Sequence, residues 1–166
     1  MTTITKQITI NASQQKIWKI VSDLGGVYKF NPGVRKSYYT TDKTNGVGAA
    51  RICELQPVGR ILETVKNWKE GESFLLQISP IEKAVPLKNF SGLFELNELN
   101  NNSIQVSVTI NYDMKLGTIG ILLNNLIMKS KMGNEIEDLL KGLKVHSETG
   151  IEIKDTKTLR KILGAA

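Results

Sequence analysis

The spacing of hydrophobic residues indicates which parts of the chain form strands. Over residues 3–10, the apolar side chains of Ile4, Ile8 and Ile10 alternate with polar ones, a period that is typical of a half-buried strand. Alternation returns later in the chain and is clearest over residues 103–115, where one face is apolar and the other polar. Short runs rich in turn-forming residues separate these segments. The strands predicted in this way span residues 3–10, 34–40, 46–55, 59–68, 73–79, 88–96 and 103–115.

Helical spacing of apolar residues appears in two parts of the chain. Ser13 is a suitable N-cap for a short helix over residues 14–22, and a second helical turn is predicted over residues 27–30. A long helix is predicted over residues 118–146, where apolar residues recur at intervals of three and four. Gly150 is a typical residue to end it.

The order of these elements predicts the fold. Consecutive strands joined by short turns form an antiparallel meander, and the apolar face of such a sheet has to be covered by another element. The largest apolar element available is the C-terminal helix. We therefore expect an α+β fold in which a seven-stranded, curved antiparallel sheet surrounds a long C-terminal helix, with two short helices between the first and second strands. Residues 1–150 form this one domain, and residues 151–166 form a basic tail that is a candidate for flexibility.

Composition and charge narrow the classes of function. Of the 166 residues, 40% are hydrophobic and 23% are charged, which is ordinary for a globular protein. The net charge of +6 invites comparison with nucleic-acid-binding proteins. The basic residues are dispersed, however, except for a cluster over residues 154–161, and no nucleic-acid-binding motif accompanies them. We therefore expect no nucleic acid among the partners.

The cysteine count and the length of the apolar runs indicate the cellular compartment. The single cysteine, Cys53, excludes an intrachain disulfide framework and fits a reducing environment. The N-terminal residues contain no apolar stretch of the kind found in secretion signals. The longest apolar run, over residues 119–128, has about half the ~20 residues that a helix needs to span a bilayer. We expect a cytoplasmic protein without a transmembrane segment.

Several short motifs follow one another in an order that is typical of one superfamily. They are residues 12–18, Asp23-Leu24-Gly25-Gly26, Phe30-Asn31-Pro32-Gly33-Val34, Gly48, Arg51, Gly59, Glu63, Trp68, Gly117-Thr118-Ile119-Gly120 and Gly142-Leu143-Lys144. Together they resemble the helix-grip fold of the START and birch-pollen-allergen-like superfamily, in particular its polyketide cyclase/dehydrase and lipid-transport branch. The resemblance covers residues 3–150. It is specific for the fold and not for a ligand or a reaction.

The fold itself predicts a cavity, because a strongly bent sheet around one helix does not close completely and concave apolar spaces bind small molecules. A three-residue turn at residues 56–58 places Arg51 opposite Glu63 on neighbouring strands. Both would then share a face with Cys53 and Val65. Two interpretations stay open for the Arg51–Glu63 pair: contact with the polar end of a ligand, or a structural ion pair that satisfies itself.

Strand alternation and helix spacing predict the remaining wall of the cavity. For Lys36 a position on the surface is the alternative, and for the aromatic residues the alternative is ordinary core packing. The complete set of predicted cavity residues is Lys36, Tyr38, Arg51, Cys53, Glu63, Val65, Phe90, Phe94, Ile110, Tyr112, Leu122 and Leu126.

Little in the sequence indicates catalysis. One histidine, His146, and one cysteine do not make a zinc site, and no nucleotide-binding or nucleophile motif is present, so we expect neither metal nor cofactor. The leading hypothesis is binding or transport of a hydrophobic small molecule that is lipid-, isoprenoid- or polyketide-like. The alternatives are a cyclase or dehydratase that uses Glu63 and Arg51, and a protein-interaction module that uses the basic tail.

Overall fold

The computed structural model describes residues 1–82, 87–100, 102–114 and 127–165. Within these residues the chain forms one antiparallel sheet, two short helices after the first strand, and two helices at the C-terminal end. The strands are β1 (Thr2–Ile10), β2 (Val34–Tyr39), β3 (Ala50–Leu55), β4 (Arg60–Lys69), β5 (Ser73–Pro80), β6 (Leu87–Asn100) and β7 (Ser103–Met114). The helices are α1 (Gln14–Ser22), a 3-10 helix (Leu24–Lys29), α2 (Lys129–Thr149) and α3 (Thr156–Gly164).

The seven strands lie in the order β1-β7-β6-β5-β4-β3-β2, so β2 to β7 form a meander and β1 closes its far side against β7. Register shifts interrupt the pairing of β2 with β3, of β4 with β5, and of β6 with β7. Such bulges bend a strand and increase its twist. The predicted curved antiparallel sheet around a C-terminal helix, with two short helices between the first two strands, is confirmed.

Two strand boundaries differ from the prediction by more than one residue, each for a local reason. β3 starts at Ala50 and not at residue 46, because Gly46 and Gly48 have φ angles of 71° and 92°, a left-handed conformation that strands do not use. β6 continues to Asn100, because its polar end stays paired with the start of β7, up to Asn100 opposite Ser103.

Helix α2 packs across β1 and buries Ile136, Leu140 and Leu143 under the sheet. It ends at Gly150, whose φ of 78° is left-handed and whose N–H donates to the carbonyl of His146, as the sequence predicted. The part of the predicted helix over residues 118–126 lies outside the described residues. No helix in the described part of the chain is long and apolar enough to cross a membrane.

The C-terminal segment is attached to the domain by a second, smaller apolar cluster. Leu159 of α3 and Ile153 are fully buried, and they pack against Val145 of α2, which is almost fully buried. The N–H of Ile153 donates to the carbonyl of Lys29 at 2.8 Å, and the amide of Gln56 donates to the carbonyl of Lys154 at 2.9 Å. The segment therefore runs over the 3-10 helix and the β3–β4 turn.

An aromatic cluster closes the end of the sheet next to α1. The indole N–H groups of Trp18 and Trp68 both donate to the carboxylate of Glu70, each at 2.7 Å. The two indoles meet edge to face at 5.0 Å, and Phe74 stacks between Trp68 and Phe94. The cluster fixes α1 to the β4–β5 hairpin.

Candidate functional site

A cavity of about 440 Å³ lies between the concave face of the sheet and α2. Its described wall is mainly apolar and comes largely from the 3-10 helix, the six strands β2 to β7, and α2. The residues of the sheet that line it include Val34, Cys53, Leu55, Ile61, Phe74, Leu76, Ile78, Leu87, Phe90, Phe94, Val108 and Ile110. Gly92 lies among them, and its missing side chain lets Ile110 and Ile78 pack closely over it, since a Cβ atom there would lie 3.1 Å and 3.5 Å from their Cδ1 atoms.

Arg51 and Glu63 form the buried polar point of this wall. The register of β3 and β4 pairs them directly, as the turn length predicted. Arg51 Nε donates to Glu63 Oε2 at 2.6 Å, and Arg51 Nη1 donates to the carbonyl of Leu24. The thiol of Cys53 donates to the same Glu63 oxygen at 3.4 Å. With only 5% of Arg51 and 8% of Glu63 exposed, the pair is shielded from bulk water, and it connects the sheet to the 3-10 helix.

The electrostatics of the pair keep the guanidinium charged and the thiol neutral. Burial is the largest single influence on the pKa of Arg51 and lowers it. The attraction of the Glu63 carboxylate, its hydrogen bond and smaller contributions from neighbouring groups together outweigh burial, so the pKa is raised. Burial, with the nearby Glu63 carboxylate, raises the pKa of Cys53 far above its usual range. Because the thiolate is the nucleophilic form, Cys53 is not arranged as a nucleophile.

The mouth of the cavity is more polar than its interior. Lys131 and Glu135 lie one turn apart on α2, and these exposed side chains line the cavity together with the partly exposed Asn31 and Gln56, so we take this group as its mouth. Desolvation raises the pKa of the Glu135 carboxyl group, and the neighbouring Lys131 ammonium opposes that shift. Val58, which is 83% exposed, lies at the same rim.

Six of the predicted cavity residues lie on the described wall, namely Arg51, Cys53, Glu63, Phe90, Phe94 and Ile110. Val65 and Tyr112 are fully or almost fully buried in the core beside the cavity and do not line it. The Tyr112 ring contacts the edge of Phe90. Leu122 and Leu126 lie outside the described residues. That any of these side chains touches a ligand stays a prediction.

The predicted placement of Lys36 and Tyr38 in the cavity is wrong. A bulge between Val34 and Lys36 adds one residue to β2 and moves every following side chain to the opposite face. Ser37 is consequently buried on the inner side, whereas Tyr38 is 36% exposed and lies under the Lys36 ammonium at 5.6 Å on the outer face.

Sequence reasoning missed the mouth of the cavity. Met128, Met132 and Glu135 continue the helical spacing of the lining residues Ile136 and Leu139, so the period of α2 was a usable signal. Asn31 and Gln56 carry no such signal, because only the tertiary fold brings their loops to this opening.

The described residues offer no candidate metal site, and the single histidine has a structural contact. They contain no group of three or more histidine, cysteine or acidic side chains that would hold a metal ion. His146 stacks on Phe30, and its Nδ1 donates to the carbonyl of Ile151 at 2.9 Å, so its role is to support the end of α2.

Comparison with known proteins agrees with this architecture. The model of a family described as polyketide cyclase/dehydrase and lipid transport matches residues 1–148. Among curated proteins none matches the chain.

Solved structures show the same fold at low sequence identity. A START superfamily protein from Mycobacterium smegmatis is 18% identical, with a TM-score of 0.71 over 88% of this chain and 97% of that one. A conserved protein from Geobacillus kaustophilus is 14% identical, with a TM-score of 0.71 over 91% and 98%. The Zhui aromatase/cyclase from Streptomyces sp. R1128 is 11% identical, with a TM-score of 0.66 over 90% and 97%.

Proposed function

This chain belongs to the polyketide cyclase/dehydrase and lipid-transport family, and on that premise we propose that it binds an apolar small molecule between the sheet and α2. The observation that carries the proposal is the cavity of about 440 Å³, whose described wall is apolar except for the Arg51–Glu63 pair and the mouth. Cavities of this size and character are typical of small-molecule sites. The lipid-, isoprenoid- or polyketide-like nature of the ligand stays part of the proposal.

The physical driving force is removal of apolar surface from water. Phe90, Phe94 and Ile110 offer rigid walls, while Met128 and Met132 at the mouth have flexible side chains that adapt to different ligand shapes. A ligand buried here gains roughly 25 cal/mol for each Å² of apolar surface that leaves water. The enzymatic alternative, with Glu63 and Arg51 as acid and base, stays a prediction.

Filling the cavity tests the proposal. We expect the neutral fluorescent probe N-phenyl-1-naphthylamine to bind the wild-type protein saturably, with one probe per chain. Ile110→Trp should reduce that binding at least about tenfold, because Ile110 lines the cavity and the larger side chain takes up part of its volume. The measurement is a fluorescence titration.

Thr109→Trp is the matched control, since Thr109 is the neighbouring residue of β7 on the outer face, where its hydroxyl bonds to that of Thr5. It should leave binding unchanged. Equal loss in both variants, or no saturable binding by the wild-type protein, would refute the proposed function.

A further inference from the structure

The two oxygens of the Glu63 carboxylate are in different situations. Oε2 accepts from both Arg51 and Cys53, whereas Oε1 accepts from no side chain or backbone group in the described part of the chain. Glu63 is only 8% exposed and lines the cavity. We propose that the ligand carries a neutral hydrogen-bond donor, such as an alcoholic or phenolic hydroxyl group, which binds Glu63 Oε1. This inference rests on the proposed function.

A donor is required because an ionised carboxylate accepts hydrogen bonds and donates none. A ligand without a donor would remove water from Oε1 and leave a buried, charged acceptor unsatisfied, which is strongly unfavourable. A ketone or an ether presents only acceptors and does not solve this problem. A hydroxyl group replaces the water and restores the hydrogen bond.

A carboxylate ligand is disfavoured because Arg51 already has a counter-charge in the protein, the carboxylate of Glu63. Arg51 Nε donates to Glu63 and its Nη1 donates to the carbonyl of Leu24, so its charge is already balanced inside the protein. A second anion at this point would lose its hydration and would be repelled by Glu63 at short range, where the surroundings screen poorly.

The charged residues at the mouth of the cavity do not change the net charge of its wall. Lys131 and Glu135 contribute one charge of each sign, so the charged side chains of the described wall, Arg51, Glu63, Lys131 and Glu135, sum to zero. The wall as described therefore matches an uncharged ligand with a hydroxyl group at its inner end.

Three probes of the same ring size separate these possibilities: 2-naphthol, 2-methoxynaphthalene and 2-naphthoate. At pH 7 the first is a neutral donor, the second is a neutral acceptor and the third is an anion. Isothermal titration calorimetry of the wild-type protein should give 2-naphthol an affinity roughly tenfold or more above that of the ether. The carboxylate should bind most weakly.

Equal affinities of 2-naphthol and the ether, or tightest binding of 2-naphthoate, would overturn the inference. So would failure of all three probes to bind a protein that still binds N-phenyl-1-naphthylamine. If that larger probe also fails, the proposed function falls and this inference falls with it.

Glu63→Gln gives a second measurement. Loss of the negative charge should remove the advantage of 2-naphthol over the ether and should improve 2-naphthoate relative to 2-naphthol, because Arg51 loses its counter-charge. An unchanged order of affinities in a folded variant would contradict the assignment to Glu63. The wild-type series decides the question even if the variant does not fold.

Discussion

Cys53 shows how strongly one position in the sheet depends on its surroundings. The thiol is 1% exposed and lies between the Arg51–Glu63 pair and the apolar wall. Burial raises the pKa of the thiol, so the folded protein stabilises its neutral form over the thiolate. In the unfolded chain the same thiol ionises near pH 9.0, its ordinary value.

This difference predicts a loss of stability at alkaline pH. The native protein retains the thiol proton above pH 9.0 while the unfolded chain releases it, so the contribution of Cys53 is complete below that pH and falls as the pH rises. Between pH 8 and pH 10 we expect Cys53 to lower the free energy of unfolding by about 1.4 kcal/mol. Urea denaturation of the wild-type protein and of Cys53→Ala at both pH values measures this difference.

Tyr39 and Tyr112 also contribute to the loss of stability at alkaline pH, because desolvation raises the pKa of both phenols in the folded protein. They are present in both proteins and cancel in the comparison. An alkaline loss of equal size in Cys53→Ala would assign the effect to the tyrosines instead.

Among the elements, α2 lies very close to the end of the 3-10 helix. A Cβ atom at Gly142 would overlap the carbonyl oxygen of Phe30, so the helix approaches the end of the 3-10 helix as closely as a glycine allows. Gly133 belongs to the same helix, but a Cβ atom there would lie 3.8 Å from the side chain of Lys6, which is an ordinary contact.

Alanine at these two positions should therefore have opposite effects. We expect Gly142→Ala to lower the free energy of unfolding by about 1–3 kcal/mol, because backbone atoms have to move apart. Gly133→Ala should raise it by about 0.5–1 kcal/mol, because alanine loses less conformational freedom in a helix. Urea denaturation compares the two, and the same sign for both variants would contradict the close approach at Gly142.

Elements of this fold differ in how far their sequence predicts them. The β3–β4 hairpin was predicted correctly down to the pairing of Arg51 with Glu63, because turn length and alternation are both local. The face of the sheet on which Lys36 lies was predicted incorrectly, because the pattern of apolar and polar residues in β2 does not show the extra residue of the bulge. The mouth of the cavity joins loops that are distant in sequence, and local patterns do not report such contacts.

In the molecule as a whole, the C-terminal segment packs on the outside of the domain and contacts a residue at the mouth of the cavity. The segment expected to be a basic tail has Ile153 and Leu159 fully buried. Through the carbonyl of Lys154 it also accepts a hydrogen bond from Gln56, a residue of the cavity mouth. The division of the chain at residue 150 stays a prediction.

Removal of residues 151–166 should leave a folded protein with a looser cavity mouth. Loss of the bonds to Gln56 and Lys29 removes contacts worth about 1 kcal/mol each, so we expect N-phenyl-1-naphthylamine to dissociate about fivefold faster or more. Stopped-flow fluorescence measures this rate. Gln56→Ala, which breaks only the side-chain bond, should show part of the increase, and an unchanged rate in both proteins would contradict the connection.

The carboxylate of Glu70 has a consequence for spectroscopy. It holds the indole N–H groups of both tryptophans of the chain, so all indole emission arises from a single place. Phe74 stacks on Trp68 and lines the cavity, which brings this emitter next to any occupant. A bound molecule that absorbs at the wavelength of indole emission would quench it by energy transfer. The protein therefore carries its own optical reporter of occupancy, and it can be used to screen unlabelled extracts for the natural ligand.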